Sequence, residues 1–264
     1  MPEGDTIHRA ARTLERVLTG KTVRKVLSPL ASVADAHLSG LSVEAVEARG
    51  KNLLIHFDDG RSLYTHMRMT GSWHVYRPGE RWQKPQRLAR VVLETDDFLA
   101  VCFSAPVVEV LTERQSARHR TLSRLGPDLL SAGFDPREAL PRLRERADQP
   151  IAEALLVQRV VAGIGNVYKS ETLFLSGADP FSPVRAFSDQ DLLRMLEKAR
   201  ELMSGNLEGF PRRTQRSPLD SPRYWVYGRS GRACRRCTTR IRMRRQGLNG
   251  RSTYWCPGCQ PPIE

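Results

Sequence analysis

Lysine is scarce in this chain, with only Lys21, Lys25, Lys51, Lys84, Lys169 and Lys198 among 42 basic residues. Arginine carries nearly all the positive charge, so Lys51 and Lys169 stand out. No apolar run approaches the roughly 20 residues that a spanning helix needs, and no charged-then-apolar signal opens the chain. The expectation is a soluble, cytoplasmic protein that binds no membrane. No internal repeat is evident, which sets aside repeat architectures. Cysteine is nearly absent before residue 234, where Cys102 alone, within Phe98–Phe103, reads as a small buried hydrophobe. Acid is missing from the C-terminal segment: from Arg229 onward Glu264 is the single carboxylate against nine arginines.

What is present agrees with these absences. A formal charge of +13 and a pI near 10.1 favour a polyanionic partner, with nucleic acid first among the candidates. At 264 residues the chain can form two domains, each with its own core. Four cysteines form two C-x-x-C pairs, Cys234/Cys237 and Cys256/Cys259, separated by a basic spacer long enough for a β-hairpin. That spacing predicts one tetrahedral four-thiolate Zn2+ site, structural because no coordination position is left open. Redox dithiols or two disulfides are the alternative reading. Arg232, Arg235, Arg236, Arg240, Arg242, Arg244, Arg245 and Arg251 stud the segment, as a phosphate-binding hairpin requires.

Taken in order, Ile7, Ala10, Ala11, Leu14, Val17 and Leu18 recur at helical spacing behind Pro2, Glu3 and Asp5. Proline and acids suit any first helical turn. A second reading is chemical: removal of Met1 would leave Pro2 as a free secondary amine, with Glu3 beside it as an acid. From Lys21 to about Leu111 short alternating runs predict an antiparallel β-sandwich: 22–26, 43–46, 52–57, 62–66, 90–93, 98–103 and 107–111. Arg49-Gly50-Lys51-Asn52 is a turn that carries a cation, and Arg68-Met69-Thr70-Gly71 sets an apolar side chain beside a glycine bend. Residues 112–135 read as a hinge. Helices are expected from Asp135-Pro136, over Ile151–Val160, and from a Ser188 cap through Met203. Between the last two, Gly163-Ile164-Gly165-Asn166-Val167-Tyr168 lacks the third glycine and the preceding strand of a dinucleotide site. It reads as a tight turn into a helix whose first amides, with Asn166, can grip a phosphate. The Gly-, Pro-, Arg- and Ser-rich stretch 205–223 reads as a loop.

These motifs, in this order, resemble those of the formamidopyrimidine-DNA glycosylase and endonuclease VIII family of base-excision repair enzymes. The likeness spans the chain: Pro2-Glu3-Gly4, Arg49-Gly50-Lys51, Gly163 to Tyr168, and Arg251 to Gln260. The first two look closer to the endonuclease VIII branch, which prefers oxidised pyrimidines. The resemblance implies an α+β fold, with an N-terminal helix and β-sandwich, then a helix–two-turn–helix bundle ending in a four-cysteine zinc β-hairpin. The expected divisions are 1–115, a hinge at 116–135, 136–224 and 225–264. It further implies a monomeric glycosylase and abasic-site lyase, acting on damaged double-stranded DNA at the bacterial nucleoid. Pro2 would attack the sugar, Glu3 would move protons, and Lys51 would meet sugar and phosphate. Asn166 and Arg251 would hold flanking phosphates, and Met69, with Arg68 and Thr70, would fill the hole left by a flipped nucleotide. Thr6 departs from the family's usual glutamate, and Ser104–Glu109 lacks the arginine and aromatic pair inserted opposite the lesion; residues 205–223 would shape the lesion pocket. The rival reading is a non-catalytic zinc-ribbon nucleic-acid-binding protein. A narrower one is an abasic-site lyase with little glycosylase activity.

Overall fold

A computed structural model of the chain describes residues 2–209, 211–215 and 223–263. Helix α1 (Gly4–Leu18) forms where the apolar spacing predicts it, and Ile7, Ala11, Leu14 and Leu18 bury one face. It stops at Thr19 and Gly20, the latter at φ +75°, a left-handed conformation that glycine adopts without steric cost.

The chain divides into two compact units, Met1–Arg124 and Leu125–Glu264. The first holds eight strands: β1 (Lys25–Leu27), β2 (Val43–Arg49), β3 (Asn52–Phe57), β4 (Ser62–His66), β5 (Ser72–Tyr76), β6 (Ala89–Glu94), β7 (Leu99–Phe103) and β8 (Val107–Leu111). They form two four-stranded sheets, β1-β6-β7-β5 and β2-β3-β4-β8, with every pairing antiparallel. One apolar cluster joins Ile7 and Leu14 of α1 to Leu53, Ile55 and Leu63 of one sheet and Val91, Leu93 and Ala100 of the other. Burial against both sheets is what holds α1 and its first residues in place. Cys102 is fully buried in this core.

Two elements of this unit exceed the sequence expectation. Strand β5 follows directly from the glycine bend, and its alternation of Trp73 and Val75 with polar neighbours is the signal for it. The stretch expected as hinge contains α3 (Glu113–Arg118), opened by a capping box in which Thr112 accepts from the Gln115 N–H and Gln115 reaches back to the Thr112 N–H. The T-x-x-Q spacing announces it. A short helix, α2 (Ala31–Ala34), lies between β1 and β2.

The second unit contains α4 (Pro136–Arg144), α5 (Ile151–Ala154), α6 (Asn166–Leu175), α7 (Asp189–Ser204) and the hairpin β9 (Arg242–Gln246) and β10 (Arg251–Trp255). Asp135 caps α4 by accepting from the Arg137 N–H at 2.9 Å, and Ser188 caps α7 in a box with Asp191. Helix α5 is far shorter than the expected 151–160. The Gln158 side chain captures the backbone of the following turns: its Nε2 donates to the carbonyls of Leu156 and Ile164, and its Oε1 accepts the Gly163 N–H, each at 3.0 Å. With the β-branched Val157, Val160 and Val161 beside it, that local bonding outcompetes the helix. Among the described residues no helix is long and apolar enough to cross a membrane.

Candidate functional site

Pro2 is half-buried and Glu3 wholly buried where α1 begins. The Glu3 carbonyl accepts the N–H groups of Thr6 and Ile7 at 2.9 and 3.2 Å, which fixes the backbone of the Pro2-Glu3 pair to the helix. Asp5 is also fully buried and pairs with Arg9 at 3.6 Å. Thr6 donates to the Asp5 carboxylate at 3.4 Å. Carboxylates at a helix start are ordinarily solvated, so two fully buried ones within three residues exceed what capping requires. Met1 lies outside the described residues.

Lys51 sits at the tip of the β2–β3 hairpin, where Arg49 pairs with Asn52 across a two-residue turn. Gly50 takes φ +59° and Lys51 does not go positive, the sign pattern of a type II′ turn. A relay from the sheet holds this tip: the buried Tyr64 hydroxyl donates to Asn52 Oδ1, and Asn52 Nδ2 donates to the Arg49 carbonyl, both at 2.8 Å. Burial pushes the Tyr64 phenol up to about 12, so it remains a donor at neutral pH. His66 lies opposite Asn52 on β4. Burial holds its imidazole below the ordinary value, helped by the positive charges of Lys51 and Arg68. Its Nδ1 accepts the Arg68 N–H at 3.1 Å. His66 thus joins the Lys51 turn to the Arg68–Gly71 bend, a role that alternation within the strand did not signal.

In that bend Met69 is 66 % exposed, although the backbone around it is closely held. Arg68 takes φ +44°, Thr70 donates to the Ser104 carbonyl at 3.0 Å, and the Gly71 N–H donates to the Met67 carbonyl at 2.8 Å. A Cβ at Gly71 would stand 2.7 Å from Met67 Cα and 3.0 Å from Ala105 Cα. Gly71→Ala should therefore cost roughly 1–3 kcal/mol through overpacking, read as a lower denaturant midpoint with an unchanged slope.

In the second unit Asn166 is the first residue of α6 and is buried, with Gly165 as N-cap. Helix α6 is buried along almost its whole length. Its Glu171, fully buried, accepts the N–H groups of Trp225, Val226 and Tyr227 at 2.8, 2.9 and 2.8 Å and the Thr214 hydroxyl. Burial pushes this carboxyl up against the pull of those donors. Glu171 therefore ties the chain entering the cysteine segment to α6, a contact no local spacing announces. Arg251 opens β10, opposite Gln246 of β9, and is exposed. The stretch 205–223 lies partly outside the described residues, at 210 and 216–222.

The sulfurs of Cys234, Cys237, Cys256 and Cys259 all lie within 4.8 Å of one another, with pairs at 3.8, 3.4 and 3.4 Å. A tetrahedral site with Zn–S bonds of ~2.3 Å places sulfurs about 3.8 Å apart, so the four residues can hold a metal ion. Gln260 locks the second knuckle, accepting the Cys256 N–H at 3.0 Å and donating to the Ala178 carbonyl at 2.7 Å.

Residues 1–106 match the family model of the formamidopyrimidine-DNA glycosylase N-terminal domain, and residues 125–215 match that of its H2TH domain. A "Probable endonuclease 8 2" of Streptomyces coelicolor is 41% identical over 98% of this chain and 94% of its own. A "DNA-(apurinic or apyrimidinic site) lyase Nei2" of Mycolicibacterium smegmatis is 39% identical over 98% of this chain and 99% of its own. Among solved structures, a Lactococcus lactis formamidopyrimidine-DNA glycosylase superposes with a TM-score of 0.81 at 21% identity, covering 99% of this chain and 100% of that one. That likeness shows the fold, and the two models and near full-length relatives show the kinship: the chain belongs to the formamidopyrimidine-DNA glycosylase and endonuclease VIII family.

Proposed function

We propose that this protein is a DNA glycosylase with abasic-site lyase activity in base-excision repair, acting on oxidised bases, pyrimidines first. The observation that carries this reading is the Pro2-Glu3 pair, anchored at the start of α1 with its carboxylate fully buried in a chain whose relatives match end to end. A zinc-ribbon binding protein has no use for it.

With Met1 removed, the Pro2 nitrogen attacks C1′ of the damaged nucleotide while Glu3 protonates the opening sugar oxygen. The glycosidic bond breaks, the base departs with a proton, and an iminium joins the enzyme to DNA. The cation acidifies the C2′ proton. Its loss expels the 3′-side phosphate, and a second elimination expels the 5′-side phosphate. Lys51 supplies a cation at the sugar and its phosphate. Asn166 and Arg251 hold flanking phosphates, through an amide and a fork of N–H donors respectively. Met69, flanked by Arg68 and Thr70, fills the stack as the nucleotide leaves it; its exposure on a closely held bend suits a wedge that offsets unstacking. Zn2+ on the four thiolates holds the β9–β10 hairpin in shape and takes no part in the chemistry.

A second reading, an abasic-site lyase with weak glycosylase activity, is favoured by the printed name of the M. smegmatis relative and by the lack of an arginine and aromatic pair in Ser104–Glu109. Cleavage of thymine glycol, 5-hydroxyuracil, 8-oxoguanine and abasic duplexes, with single-stranded versions alongside, separates the two. The leading reading expects the oxidised pyrimidines to be cut at rates near that of the abasic duplex. Cleavage of the abasic duplex alone would establish the second, and no cleavage of any would overturn both.

A further inference from the structure

One buried charge has no part in the scheme above. Lys169, on α6 three residues after Asn166, is 1 % exposed. Its Nζ donates to the Ser252 carbonyl at 3.0 Å and to Thr253 Oγ1 at 2.7 Å. Burying an ammonium is costly, and an apolar side chain would fill the same space more cheaply. The polarity of the contact accounts for the cation. Lysine can only donate, so the Thr253 hydroxyl must accept from it and send its own proton onward.

That proton goes to Gln246 Oε1 at 2.9 Å. The choice orients the Gln246 amide, whose Nε2 donates to the Pro180 carbonyl at 3.3 Å. Thr253 is fully buried, and Gln246 is the cross-strand partner of Arg251. One directed chain of donors therefore runs from α6 through both strands of the hairpin and ends between α6 and α7. It contacts the residue after Arg251 on one strand and the residue opposite it on the other. A two-stranded hairpin has no further strand to orient it, so this chain, with the Tyr254 N–H that donates to Ser170 Oγ at 3.4 Å, ties the strand that opens with Arg251 to the helix that opens with Asn166.

We infer that Lys169 is a positioning residue for phosphate binding: through Thr253 and Gln246 it holds Arg251 in register with Asn166 so that the two grip DNA as a unit. The inference rests on the proposed function.

The test measures KM and kcat on an abasic duplex, with zinc content and melting temperature, for Lys169→Met, Thr253→Val, Arg251→Ala and the Lys169→Met/Arg251→Ala double variant. Lys169→Met and Thr253→Val should each raise KM about tenfold, keep kcat within about twofold, and leave bound zinc at the wild-type level. In the Arg251→Ala background Lys169→Met should change KM less than about twofold, because both act on one contact. Unchanged KM in the two single variants, or effects of Lys169→Met and Arg251→Ala that multiply, would overturn the inference. Thr253→Val keeps the lysine and the volume and carries the same comparison if Lys169→Met does not fold. Wild-type protein inert on every duplex would instead remove the proposed function.

Discussion

Borohydride added to this protein and abasic DNA should freeze a covalent adduct that peptide mapping places at residue 2, and Pro2→Leu should lower its yield by on the order of a thousandfold or more, as loss of a covalent nucleophile does. An α-amine with a pKa of about 8 is neutral in roughly one molecule in ten at pH 7, against fewer than about one in a thousand for an ordinary lysine. A secondary amine also gives an iminium that is permanently cationic, so the C2′ proton is acidified without a further protonation. Leucine at position 2 keeps Met1 in place and removes that amine. Pro2→Gly is the graded control: Met1 is still cleaved, a primary amine remains, and trapping should be intermediate. Undiminished trapping in Pro2→Leu, or active enzyme whose mass retains Met1, would assign the nucleophile elsewhere. Glu3→Gln should spare the fold and slow base release more than strand cleavage at a preformed abasic site, because only the first step needs the acid at the sugar oxygen.

Cys256→Ser should release zinc and abolish DNA binding together, whereas Arg251→Ala should keep zinc and lose only part of the affinity. The hairpin has almost no core of its own. Every β9 residue from Arg242 to Arg245 is exposed, and Thr253 is the one fully buried residue of β10. Beneath it lies a small cluster of Phe174, Val226, Cys234, Ile241 and Cys256. A lone two-stranded hairpin is marginal in water, while structural zinc supplies about 10–16 kcal/mol of apparent binding energy to such segments. With zinc bound there, removing one thiolate should unfold the segment, and its arginines should lose their common geometry. On the proposed function Arg251→Ala would remove one phosphate contact, so the salt slope of binding should fall by about one. Metal analysis and binding titrations at several salt concentrations read both variants. Retained affinity in Cys256→Ser, or lost zinc in Arg251→Ala, would show that the hairpin is held by something other than its metal.

The elements legible in the sequence are those whose signals are local. Helix α1 follows from apolar spacing, seven of the first unit's eight strands from short alternating runs, α7 from the Ser188 cap, and the cysteine cluster from two C-x-x-C pairs. The elements less legible are those whose local signal is short or is outcompeted. Gln158 ends α5 early by bonding the turns that follow it. Residues 112–118 read as hinge because Glu113, Arg114 and Arg118 leave α3 without an apolar period, although Thr112 and Gln115 carry the capping-box spacing. Strand β5 offers only a five-residue alternation directly behind a glycine bend, a signal too short to separate it from that bend.

By itself the sequence determined the chemistry on offer: a proline and an acid at the first helical turn, a lysine on a glycine turn, and four thiolates at the spacing one metal requires. These are legible because the covalent chain sets such spacings directly. Only the tertiary structure decided which charges are buried and what they hold. Glu171 gathers amides 54 to 56 residues away, and Lys169 reaches a carbonyl and a hydroxyl 83 and 84 residues away. Those partners meet through packing of the whole unit, and a charged residue on paper looks the same whether it faces water or a helix core.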